Sequence, residues 1–176
     1  GGANPFLAHA FLAGLERHGC LRPAWGWTPR HASLWRDGEL VAAAPAYLKS
    51  NSHGEFVFDQ AWAQAHARFG RGYFPKWLVA VPYSPVTGPR LLARDPSDRR
   101  LLLAAMQARA ESEGLSSVHV NFHRDDESPA FDESWLARED AQFHWRNRNW
   151  ATVDGFLAAL QPKKRTNLRQ ERDKVR

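Results

Sequence analysis

At 176 residues, with 43% hydrophobic and 24% charged side chains, the chain is long enough for one domain with a sizeable core, and its composition excludes wholesale disorder. The single cysteine, Cys20, excludes an intrachain disulfide or a structural zinc set and suits a reducing, cytoplasmic setting. No run reaches the ~18–20 apolar residues of a membrane span. The net charge of +5 is local, because residues 163–176 hold seven basic and two acidic side chains while the remainder balances at seventeen of each.

Gly1-Gly2-Ala3 reads as a trimmed or processed start. Asn4-Pro5 opens a helix, with Asn as N-cap and Pro at the first helical position, and Phe6, Leu7, Ala10, Phe11 and Leu15 carry helical spacing as far as Gly19. Residues 32–35 and 40–44 flank Asp37-Gly38 and predict a hairpin; Tyr47-Leu48-Lys49 extends its second strand past a bulge at Pro45. A short strand at 56–58 leads to a helix over 59–69 capped by Asp59. Residues 77–81 are apolar at every position, as a strand buried on both faces requires. After a Pro- and Gly-rich loop over 82–89 the chain resumes as a strand at 90–92.

The longest helix spans 95–114, with Leu101, Leu102, Ala105 and Met106 on one face. A strand at 117–122, an acidic loop, a short helix near 131–137, strands at 142–146 and 150–153 and a helix at 156–160 follow. Pro162 then resets the chain into a basic helix with no C-terminal stop after Val175. This order predicts an α+β, three-layer arrangement: a mixed, mostly antiparallel sheet flanked by helices, with residues 1–161 as the domain and 162–176 as a connector. Eight tryptophans and ten phenylalanines read first as core and second as a stacking surface.

Candidate chemistry falls in four places. His53, Glu55 and Asp59 share a glycine-containing loop, where an imidazole can take a proton from an amine; the bland alternative is a solvated turn with Asp59 capping a helix. In the loop with Tyr83, Thr87 and Gly88, the Arg90 guanidinium at a sheet edge offers a site for a carboxylate or phosphate, unless the loop is only a rigid turn. His119 and Asn121 share one face of a strand, Gln142 and His144 one face of another, and together they would line a polar cleft. Lys163, Lys164, Arg165, Arg169 and Arg172 offer phosphate neutralisation to an anion or RNA, against the plainer reading of a solvated helix. No bound metal or resident cofactor is expected.

The chain resembles a bacterial family related to the FemABX peptidoglycan aminoacyltransferases, within the GNAT-like acyltransferase fold. The resemblance rests on Asn4-Pro5-Phe6-Leu7, on residues 47–59, on Tyr73-Phe74-Pro75-Lys76, on residues 79–91, on Gln142-Phe143-His144-Trp145, and on Lys163-Lys164-Arg165 with Asn167 and Arg169. It implies transfer of an acyl or aminoacyl group from acyl-CoA or aminoacyl-tRNA to an amine, such as that of a cell-wall precursor in the cytoplasm. It implies also that Glu55, Asp59, Arg90 and His144 line the cleft, that His53 or Glu55 is the base, and that a second, similar half lies beyond the basic helix. The glycine-rich loop with which ordinary acetyltransferases hold the CoA pyrophosphate has no counterpart before Leu101. The rival reading is a non-catalytic module that recognises an anionic ligand through the basic helix and the Arg90 loop.

Overall fold

The computed structural model describes residues 4–174. The trimmed start and the unstopped helix end therefore lie outside the described residues. The chain packs as two units, residues 1–138 and 139–176.

The first unit begins with Asn4, whose side chain accepts from Phe6 N at 3.1 Å and caps a 3₁₀ turn, Pro5–Leu7. The helix expected as one piece restarts after Ala8 as α1, His9–Arg17. Strands β1 (Trp27–Pro29), β2 (Ala32–Arg36), β3 (Glu39–Ala44) and β4 (Ala46–Lys49) follow. Next come α2 (Gln60–Arg68), β5 (Lys76–Val79), β6 (Leu92–Ala93), α3 (Pro96–Ser112) and β7 (Val118–Val120).

These strands form two sheets, β1-β4-β5-β7 and β2-β3-β6, in which every pairing is antiparallel except β5 with β7. The architecture is α+β, with mixed sheets flanked by helices. The hairpin forms as its Asp37-Gly38 turn requires, both residues at positive φ. Pro45 does more than bulge its second strand. Having no N–H to give a ladder, it lets β3 stay with β2 and β6 while β4 joins β1 and β5.

Alternation along β4 and β5 sorts the core into two halves. Ala46, Trp77 and Val79 face α3 and join Ala42, Ala44, Leu102, Leu103 and Met106. Tyr47 and Leu78 face the other way and join Leu21 and Trp27. On α3, capped by Asp95 through Ser97 N at 2.7 Å, the buried stripe is Leu102, Leu103, Met106 and Ala110, whereas Leu101 is turned outward. The aromatic core is smaller than composition suggests. Trp27 and Trp77 are buried, but Trp25, Trp35, Trp62 and Trp145 are exposed and none of the phenylalanines is fully buried.

Three further expectations fail. Residues 56–58 form no strand, because Phe56 and Phe58 both take positive φ, which breaks a ladder. The short helix near 131–137 is only a turn. In the second unit, 142–146 and 150–152 are irregular, since no neighbouring strand satisfies their backbone, and Val153 already begins α4 (Val153–Ala158). Thr152 caps α4 through Gly155 N at 3.1 Å, and beside it Trp145 and Trp150 stack while Phe156 meets both edge-on. The basic helix forms as α5, Pro162–Asp173.

Candidate functional site

The register of β4 on β5 sets Lys49 directly opposite Lys76, and both side chains are fully buried. Like charges facing across a ladder repel, and burial worsens it, so carboxylates must stand close. Glu55 and Asp59 supply them: Lys76 Nζ lies 2.9 Å from Glu55 Oε2 and 2.6 Å from Asp59 Oδ2. Tyr73 donates to the same Asp59 oxygen at 2.7 Å. Asp59 stands at the head of α2 without making a capping bond; its side chain serves the lysine instead.

Electrostatics separates the two acids. Burial raises the Glu55 carboxyl above the ordinary range despite Lys76. Burial also pushes Asp59 upward, but hydrogen bonds from Lys76, Ser52 and Tyr73 outweigh it and hold the group at about 2. Lys49, desolvated against the Trp27 ring at 3.7 Å, is lowered to about 8. Half-buried His119 on β7 bonds Ser117 Oγ at 2.9 Å, packs beside Tyr73, and is lowered by desolvation to about 4, so it is neutral at pH 7.

Above this cluster lies the loop at 51–55. Lys49 Nζ and Trp27 Nε1 both donate to the His53 carbonyl, at 3.2 and 3.0 Å, and His53 N donates to Asn51 Oδ1 at 3.0 Å. The backbone of His53 is thus held from three sides while its side chain is exposed. That imidazole lines an open cleft of about 600 Å³, with His18, Cys20, Arg22, Trp25 and Tyr83 among the other walls. Arg22 stacks on Trp25 at 4.9 Å, and the Tyr83 hydroxyl donates to Cys20 O at 2.9 Å. Two left-handed glycines permit the fit: a Cβ on Gly54 would come within 2.5 Å of the Tyr83 ring, and one on Gly26 within 2.3 Å of the Asn51 amide.

The other sequence candidates divide. Arg90 is not presented at a sheet edge. It is buried, and its guanidinium donates to the carbonyls of Asn121 (2.9 Å), Pro89 (3.3 Å) and Val86, leaving it to brace its own loop; desolvation lowers it to about 10. Buried Glu127 completes the brace, accepting from the backbone N–H groups of Arg90, Leu91 and Arg124. Thr87 is exposed on that loop, and Gly88 is buried against Asn4. Asn121 is buried and contributes its carbonyl to Arg90. Gln142 and exposed His144 lie on no strand, so the second of the two strand faces expected to carry polar side chains is absent. Lys163, Lys164, Arg169 and Arg172 are exposed on α5, and Arg165 is half-buried.

The sequence groups His53, Glu55 and Asp59 but leaves Tyr83 in a separate loop, and it does not single out Lys49, Lys76 and Tyr73, which organise the site, or Arg22 and Trp25, which wall the cleft. The three-residue step from Arg22 to Trp25 across a Pro-initiated turn was the available signal for the last pair. Among the described residues no group of His, Cys, Asp and Glu is placed to hold a metal ion, and no helix is long and apolar enough to cross a membrane.

A FemAB-like family model, described as peptidoglycan biosynthesis/recognition, matches residues 1–176, and the chain belongs to that family. This assigns it to the making or recognition of peptidoglycan. No curated protein and no solved structure matches the chain.

Proposed function

We propose that the chain is a GNAT-like N-acyltransferase or aminoacyltransferase domain acting on an amine of a cell-envelope precursor, with His53 as general base. One observation carries this reading: the His53 backbone is fixed by Lys49, Trp27 and Asn51 while its imidazole lies free on the cleft wall. A base must be both positioned and exposed to its substrate. In the reaction the amine nitrogen attacks the acyl carbon and its proton passes to the imidazole. The bond to the donor's thiol or ribose oxygen then breaks, and the leaving group takes the proton back. Arg22 and the Trp25 ring suit a donor that carries phosphate beside a flat base. Glu55 and Asp59 act from below, holding Lys76 and through it the floor of the loop.

His53→Ala, assayed with acyl-CoA and aminoacyl-tRNA donors on peptidoglycan precursors, should lower transfer about 10²–10⁴-fold with an unchanged melting temperature. Unchanged transfer would remove His53 from the chemistry. The recognition reading is favoured by a different observation, the exposed cations of α5. It requires affinity for an anionic ligand to fall steeply with salt and to survive His53→Ala.

A further inference from the structure

Asp59, Ala63 and His66 form the inner side of α2, where His66 packs its ring 5.1 Å from that of Tyr73. The adjoining side carries Trp62 and Phe69, seven residues apart and so on one stripe. They are 51% and 81% exposed. At the mouth of the helix stand Phe56 and Phe58, 44% and 72% exposed, both held at positive φ. Chains avoid that backbone at bulky residues unless the surroundings impose it. Here the flanking carboxylates, Glu55 and Asp59, are both anchored on buried Lys76, so the two rings are held outward from a fixed base.

The patch is also cationic. Arg68 and Arg71 are exposed at the end of the helix, and the sequence contains no Asp or Glu from Gln60 to Arg94. Large exposed rings bordered by arginines, on a helix with no acidic residue of its own, are the pattern of a helix that lies in the interface of an anionic bilayer. A second copy of the chain fits less well, because a two-fold contact through this patch would set its arginines against their own kind.

We propose that this face of α2 docks the protein on an anionic lipid surface. Trp62, Phe69, Phe56 and Phe58 enter the headgroup boundary, and Arg68 and Arg71 meet lipid phosphates. The inference goes beyond acyl transfer and does not depend on it.

The test is co-sedimentation of the full chain with phosphatidylglycerol vesicles and with pure phosphatidylcholine vesicles. Binding should favour phosphatidylglycerol. The double variant Trp62→Ser/Phe69→Ser should bind at least about tenfold more weakly. Arg68→Gln and Arg71→Gln should each weaken binding about fivefold. All these side chains are exposed, so melting temperature and far-ultraviolet circular dichroism should match the parent in every variant. Absence of binding to phosphatidylglycerol would overturn the proposal. So would binding that the double variant leaves unchanged, since α5 would then carry it, or a concentration-dependent dimer that the double variant abolishes.

Discussion

The loops at 51–55 and 83–90 are both built on buried charge, yet they use it in opposite ways. In the first, the carbonyl of His53 is the anchor, so the side chain remains outside. In the second, the side chain of Arg90 is the anchor and grips carbonyls from within. Where the backbone carries the scaffold the side chain is available for chemistry; where the side chain carries it, that residue is committed to structure.

The comparison can be broken most severely at Lys76. Lys76→Met leaves two buried carboxylates without their cation and should cost about 3–5 kcal/mol in urea unfolding, more than Lys49→Met, which removes a cation that burial already disfavours. The reverse order would mean that Lys76 does not organise the cluster. Glu127→Ala should come next. It strands buried N–H groups of Arg90 and Leu91, and a loss of about 2–3 kcal/mol with faster proteolysis in residues 83–90 is expected.

Acid sharpens the contrast further. His119 titrates near 4 in the folded chain against an ordinary 6.5, so the unfolded chain binds the extra proton first. The contribution of His119 is therefore complete above pH 6.5 and is lost as the pH falls from 6.5 to about 4. Asp59 adds a second decline as the pH falls from 3.8 through about 2. His119→Gln should flatten the upper part of the profile and leave the lower part in place. Tyr83→Phe, which deletes one half-exposed hydrogen bond, should cost only about 0.5–1.5 kcal/mol. His53→Ala should change stability by less than about 0.5 kcal/mol, and loss of folding there would erase the distinction between the loops.

Local chemistry was legible in the sequence where it was sufficient. Asp37-Gly38 made its hairpin, Asp95-Pro96 opened α3, and the apolar run at 77–79 was buried on both sides. Phe56-Val57-Phe58 was misread because alternation alone suggests a strand; the buried carboxylates on either side impose another backbone. The segments at 142–146 and 150–152 had strand-like composition but lie beside no strand among the described residues. At the site, a glycine loop holding His53 and Glu55 was visible, but a lysine in a strand ordinarily reads as a solvent-facing residue. Only register, a property of two segments at once, shows that Lys49 and Lys76 face each other and must be neutralised.

Gly26 and Gly54 tie the turn that carries Trp25, the loop that carries His53 and the wall made by Tyr83 into one unit without room for a further carbon. For anyone reshaping the cleft, this makes positions 22–27, 51–55 and 83 a single design variable. A library that randomises one of these segments alone should return mostly misfolded clones, whereas one that holds both glycines and varies the three segments together should yield altered ligand preference on an intact scaffold.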